Sequence, residues 1–162
     1  MKLSTTNQNY SANTYFKPNE SAEVTKLVFE TKLYIENADN LVHFFKFIDD
    51  NILSPTYYWE LRVQLDEAGN LVVSDFTSGG SANQKHTITN QLNRWASFKF
   101  EAYEDAEGNF LVDVYVNGTL AFTSHNTKWT NVTVDEIKNV FYYPINSYEG
   151  NVYFDDIKCV KE

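Results

Sequence analysis

The sequence predicts an all-β protein, an antiparallel sandwich of two sheets. Three observations carry that expectation. Apolar residues recur at alternate positions over most of the chain, the period of a strand with one buried face. Turn signals built on Gly and Asn separate these runs at short spacing, as in sandwich folds. No helical period of useful length appears.

The first clear strand spans Leu27 to Ile35. Leu27, Phe29, Leu33 and Ile35 share one parity, and Lys26, Glu30, Lys32 and Glu36 the other. Residues 41–48 (LVHFFKFI) are apolar on both parities and predict a central strand. Tyr57, Trp59, Leu61, Val63 and Leu65 form the core side of the next, with Tyr58, Glu60, Arg62 and Gln64 opposite. Asp66-Glu67-Ala68-Gly69-Asn70 is a hairpin turn, because glycine takes positive φ freely. Residues 71–76 return, and Ser78-Gly79-Gly80-Ser81 predicts a flexible loop.

Residues 95–103 set Ala96, Phe98, Phe100 and Ala102 on one face. The turn over 104–109 (EDAEGN) leads to Phe110, Val112, Val114 and Val116. Asn117-Gly118 predicts a type I′ hairpin, and residues 119–124 run back from it. Residues 140–143 and 152–160 close the chain, and residues 133–138 (TVDEIK) allow one short helical turn. Residues 1–23 form a polar arm whose Tyr10, Tyr15 and Phe16 place part of it against a sheet edge. Residues 1–162 read as a single domain. Leu3 and Ser4 read as the tail of a strand, which suggests a domain excised from a longer protein.

The composition narrows the partners. At 162 residues, with 43% hydrophobic content, the chain buries roughly 70% of its unfolded surface. Its net charge is −9, Arg62 and Arg94 are the only arginines, and the lysines are scattered. This argues against nucleic acid, polyanions and anionic membranes, and for a neutral or cationic partner. No stretch has the length of a membrane span, so no membrane insertion is expected. Residues 1–7 carry no apolar signal-peptide core. Cys159 is the only cysteine, so no internal disulfide forms, and its strand position predicts a buried, inert thiol.

The last strand contains an irregularity. Val152 and Phe154 share one parity, Ile157 and Cys159 the other, and the phase changes at Asp155-Asp156. That change predicts a β-bulge. Adjacent carboxylates repel and need a stabilising group, either backbone N–H donors or a structural Ca²⁺.

Three stretches together carry a family resemblance: Trp95 with Phe98-Lys99-Phe100-Glu101, then Val114-Tyr115-Val116-Asn117-Gly118, then Val152-Tyr153-Phe154-Asp155-Asp156-Ile157-Lys158. This order resembles the concanavalin A-like, laminin G-like jelly-roll superfamily, over about residues 24–160. The resemblance implies a two-sheet jelly roll whose first and last strands lie together. It also implies a structural calcium near the terminal strands, where Asp155 and Asp156 stand. The superfamily holds lectins, carbohydrate-binding modules, glycoside hydrolases, lyases and structural domains, so it does not fix a function.

Catalytic signatures are sparse. The Glu-x-Asp-x-x-Glu strand of laminarinase-like hydrolases is absent. Trp59-Glu60-Leu61-Arg62 resembles the Glu-Leu-Arg of alginate lyases, but their Gln-Ile-His and Tyr-Phe-Lys-Ala-Gly stretches are missing, and a surface salt bridge explains Glu60 and Arg62 as well. His43, His86 and His125 show no metal spacing, and His43 reads as packed beside Phe45 and Phe47.

A sugar site needs aromatic rings for pyranose faces and amides or carboxylates for hydroxyls. The outward parities offer Tyr58, Glu60 and Arg62, then Tyr103, then Asp113 and Tyr115, then Tyr142. If these strands are neighbours in one sheet, they form a concave aromatic and polar platform. Trp129, in a loop, is the tryptophan expected to be exposed, whereas Trp59 reads as core and Trp95 as core or rim. The leading expectation is a non-catalytic, lectin-like module for a neutral glycan, acting outside the cell, on its surface or in a virion. The alternative is a structural or assembly domain with a protein partner and no small ligand; the third reading, behind both, is a glycoside hydrolase or lyase, which would need paired carboxylates in a deep cleft.

Overall fold

The computed structural model describes residues 2–5, 15–16, 25–36, 42–49, 59–66, 68–77, 82–125, 137–144 and 150–162. Twelve strands lie among them: β1 (Lys2–Thr5), β2 (Tyr15–Phe16), β3 (Lys26–Ile35), β4 (Val42–Asp49), β5 (Trp59–Leu65), β6 (Leu71–Thr77), β7 (Ala82–Ile88), β8 (Trp95–Glu104), β9 (Phe110–Val116), β10 (Thr119–His125), β11 (Ile137–Pro144) and β12 (Gly150–Lys161). They form two six-stranded antiparallel sheets. Sheet A runs β1-β12-β3-β8-β9-β10 and sheet B runs β2-β11-β4-β5-β6-β7. The fold is an all-β, two-sheet jelly-roll sandwich. Among the described residues no helix is long and apolar enough to cross a membrane.

Alternation builds the core. Sheet A contributes Leu27, Phe29, Leu33 and Ile35 from β3, Ala96, Phe98, Phe100 and Ala102 from β8, and Phe110, Val112, Val114 and Val116 from β9. Leu61, Val63, Leu65, Leu71 and Val73 face them from β5 and β6. Phe29 and Phe100 lie 6.2 Å apart between centroids. Burying such side chains contributes roughly 1.5–3 kcal/mol each.

The expected terminal pairing is present: β1 pairs with β12, Leu3 opposite Val152. Part of the N-terminal arm also lines the other sheet, where Tyr15 pairs with Val140 of β11. β4 is interior to sheet B, as its two-sided apolar pattern requires. The Asn117-Gly118 turn has φ of 50° and 79°, the type I′ signature.

One strand was invisible to hydrophobic patterning. β7 (ANQKHTI) pairs with β6 as the outer strand of sheet B. Its Gln84, Lys85 and Thr87 are exposed, so no alternation marks it. The sequence expected Cys159 to be buried; it is half-buried, packed against the core opposite Phe29.

β12 contains the expected bulge. Asp155 pairs with Lys32 and Lys158 with Glu30, so Asp156 and Ile157 share one partner position, at Thr31. Asp156 has φ of 50°, the left-handed region. The Thr31 hydroxyl donates to the Asp155 carbonyl at 3.3 Å. Val152 and Phe154 are thus buried ahead of the bulge, while Ile157 and Cys159 still pack on the core after it.

A buried carboxylate ties the two sheets together at one margin. Asp75 of β6 is 2% exposed and lies on the inner parity. It accepts from the Gln84 backbone N–H within sheet B. It also accepts from the Ser124 hydroxyl of sheet A at 3.0 Å. The Gln84 amide donates to the Thr123 carbonyl at 2.7 Å, a second tie between β7 and β10.

Asp75→Ala removes the acceptor shared by the Gln84 N–H and the Ser124 hydroxyl and is expected to cost about 1–3 kcal/mol, read from urea midpoints. An unchanged midpoint would remove the clamp from this account. At the bulge, Asp156→Gly should fold as well as the parent. Asp156→Val should lose roughly 1–2 kcal/mol, because β-branched residues resist left-handed φ.

Candidate functional site

The expected site residues do not share one sheet. Glu60, Arg62 and Tyr142 belong to sheet B, whereas Tyr103, Asp113 and Tyr115 belong to sheet A. Outward faces of opposite sheets point away from each other, so the single platform divides into two surfaces. Tyr58 and Trp129 lie outside the described residues.

On sheet B, Arg62 and Gln64 are half-buried on the parity opposite Leu61, Val63 and Leu65. The register sets Lys46 of β4 opposite Arg62. On the other side Arg62 meets Ser74 of β6, and Ser74 meets Lys85 of β7. One row across four strands therefore reads Lys46, Arg62, Ser74, Lys85. Like charges directly opposite one another disfavour the sheet. The parallel row reads Tyr143, His43, Gln64, Val72 and Thr87. Glu60 lies one row to the other side, opposite Ile48 and Phe76.

Among the described residues, two buried polar atoms of this face have no hydrogen-bond partner. Ser74 is 2% exposed, and its Oγ is one of them. The Gln64 Oε1 is likewise buried and unpartnered. Such groups are rare in folded proteins, and each asks for an explanation.

The outer face of sheet A is differently built. Lys32 pairs with Asp156. Lys158 pairs with Glu30 at 3.7 Å, and Glu101 takes both Lys99 at 2.7 Å and Lys26 at 3.3 Å. The Lys99 ammonium lies 4.6 Å from the Tyr115 ring centroid, an attractive cation–π geometry. Asp113 accepts from Thr123 at 2.6 Å and from Tyr103 at 3.4 Å. Burial, reinforced by Asp113, pushes the Tyr103 phenol up. Tyr103 and Asp113 thus hold each other, while Tyr115 lines a cavity of about 340 Å³ with Glu30, Lys32, Ser97, Lys99 and Asp156.

Of the two places the sequence allowed for Trp95, core or rim, the core is excluded. Trp95 is 47% exposed, on the outward parity of β8, because Ala96 and Phe98 take the inward one. That parity was present in the sequence, since Ala96, Phe98, Phe100 and Ala102 already shared the other face. Lys46, Ser74 and Lys85 were missed because only cross-strand register brings them to Arg62.

At the Asp155-Asp156 pair both carboxylates are exposed, and Asp156 pairs with Lys32. Ca²⁺ takes six to eight oxygens. Among the described residues no group of three or more His, Cys, Asp or Glu side chains could hold a metal. Lys32 already supplies the counter-charge at Asp156.

Burial pushes the Glu101 carboxyl up, but Lys99 and Lys26 outweigh it and hold the group below its ordinary value. A depressed carboxyl stabilises the fold above its unfolded pKa, and that contribution is lost as pH falls through the folded one. NMR titration should find Glu101 titrating below the ordinary value of about 4.3. Glu101→Gln should reduce stability at neutral pH and make little difference in strong acid.

No family model matches the chain, and no curated protein matches it. Solved structures do. An alginate lyase mutant in complex with an alginate trisaccharide is 12% identical, at a TM-score of 0.59, over 87% of this chain and 72% of that one. A laminarinase from Flavobacterium is 12% identical, at 0.61, over 91% and 70%. The carbohydrate-binding module CBM66 from Bacillus subtilis is 13% identical, at 0.50, over 93% and 83%. At these identities the likeness is one of fold: this chain has the jelly-roll sandwich on which lyases, glucanases and a binding module are all built.

Proposed function

We propose that the domain is a carbohydrate-recognition module that holds a carboxylate-bearing polysaccharide across the outer face of sheet B. The observation that carries this reading is the row Lys46, Arg62, Ser74, Lys85. In a chain of net charge −9, this row gathers three cationic residue types, Lys46, Arg62 and Lys85, at neighbouring register positions, a local charge that favours an anionic ligand. A uronate supplies a carboxylate for Arg62, whose planar fork suits bidentate pairing. Gln64, half-buried beside Arg62 on the same face, adds an amide for sugar hydroxyls. Net charge alone favoured a neutral glycan, but net charge is a sum over the molecule and this row is local. The alginate bound in one fold neighbour and the binding module among the others support the substrate class by analogy.

One further observation favours a second reading, β-elimination at the same face. The register aligns Tyr143, His43 and Gln64 in the row beside Arg62. Histidine and tyrosine are the residue types such an elimination needs: a base takes the proton α to the uronate carboxylate and an acid protonates the departing sugar oxygen. The product would be an unsaturated uronate.

Calorimetry with alginate and polyglucuronate oligosaccharides should give salt-sensitive binding. Arg62→Ala should weaken it about tenfold or more, the worth of one charge-assisted hydrogen bond, and Lys85→Ala less. Affinity that ignores Arg62, or no binding at low salt, would overturn the proposal. The ultraviolet absorbance of unsaturated uronates, followed in the same mixtures, separates the readings: growth abolished by His43→Ala means a lyase, and a flat trace means a binding module.

A further inference from the structure

The outer face of sheet A holds a braced aromatic group that the reading above does not use. Trp95 is 47% exposed, unusual for so large an apolar ring. Its position is nevertheless well supported. Tyr34 of β3 packs against it at 5.4 Å between centroids. Tyr153 of β12 meets Tyr34 edge-on at 5.7 Å. The Tyr153 hydroxyl donates to Glu36 at 2.7 Å, and the Asn151 amide donates to the other oxygen of that carboxylate. The register confirms one row, Tyr153, Tyr34, Trp95. The indole is therefore presented in a set orientation with one side open.

The next positions along β8 lead into the cavity. Ser97 and Lys99 line it, two and four residues from Trp95, or about 7 and 13 Å along the strand. Tyr115 stands opposite Lys99 at the far end. Gly118 also lines the cavity, and no atom lies within 4 Å of where its Cβ would stand, so that rim is open. The volume, about 340 Å³, falls in the range of small-ligand sites.

Charge identifies the occupant. Lys32, Lys99, Lys26 and Lys158 are each matched by Asp156, Glu101 or Glu30. Asp155, exposed beside them, adds a further negative charge. Among its described residues the face thus has no excess cation for an anion. It offers fixed donors and acceptors between two aromatic side chains. Hydroxyls bond such groups in pairs, and the apolar face of a pyranose stacks on an indole.

We propose that the outer face of sheet A is a second, separate saccharide site, built for an uncharged glycan strand lying along β8 from Trp95 to Tyr115. Trp95 stacks one sugar, and the cavity at Lys99 and Tyr115 takes another. The site stands independently of the acidic-glycan reading.

The test is a ¹⁵N NMR titration with cellohexaose and laminarihexaose in high salt, where charge-driven binding on sheet B is screened. The Trp95 indole signal, assigned with Trp95→Phe, should shift saturably together with the Ser97 and Lys99 amides. Trp95→Ala should weaken binding about tenfold, while Arg62→Ala leaves it unchanged. Amide spectra of both variants report whether the fold is intact. Absence of a shift with both oligosaccharides, or shifts that persist in Trp95→Ala, would overturn the site. Self-association in sedimentation that Trp95→Ala abolishes, without sugar binding, would overturn it too and assign the face to a second copy of the chain. Failure of the sheet B proposal would appear only with the acidic oligosaccharides, so the two can fail separately.

Discussion

Every surface feature of this domain follows from one constraint: the inner parity of each strand must be apolar and in phase with its neighbours. Leu27, Phe29, Phe98, Phe100, Val112 and Val114 satisfy it in sheet A, and Leu61, Val63 and Val73 in sheet B. A one-residue slip in any strand would exchange its inner and outer sets. The outward residues therefore have no freedom of position. Arg62 meets Ser74 because Leu61 meets Asp75 and Val63 meets Val73. Trp95 meets Tyr34 because Ala96 meets Leu33.

The exceptions to the rule are as informative as its observance. Asp75 occupies an inner position, and the enclosure is tolerable because Gln84 and Ser124 both donate to it. A hydrogen-bonded carboxylate is acceptable where a solvated one is impossible. Asp156 takes a left-handed φ, and that single residue resets the phase of the longest strand. Both deviations place an acid where the sheet needs a local correction.

Much of the fold was legible because alternation is a one-dimensional signal. β3, β5, β8 and β9 are readable by counting residues. The bulge was readable too, since Phe154 and Ile157 sit on opposite parities. β7 was not, because its apolar side is reduced to Ile88 at one end, packed against the core, and its Gln84, Lys85 and Thr87 are exposed. The site was less legible for a related reason. Glu60 and Arg62 looked like candidates alongside Tyr103, Asp113 and Tyr115, since all occupy outward positions. Which sheet an outward position belongs to depends on strand order, and strand order is set by packing between distant segments. Asp113 shows a second limit: Tyr103 and Thr123 engage it, so a residue that is polar and outward need not be available to a ligand.

Strand order also bears on how the chain reaches this state. β3 lies between β8 and β12, so one of its ladders joins residues more than a hundred positions apart, Leu27 with Lys161 for instance. Such pairings pay their loop-closure entropy before any contact rewards it, and folding slows accordingly. During synthesis, β3 can find β8 long before β12 exists. The intermediate then presents the open edge of a strand whose inner face is Leu27, Phe29, Leu33 and Ile35. An apolar edge of that kind is a template for another chain's strand. The lysines and glutamates on its outward parity are well placed to discourage that pairing until β12 arrives.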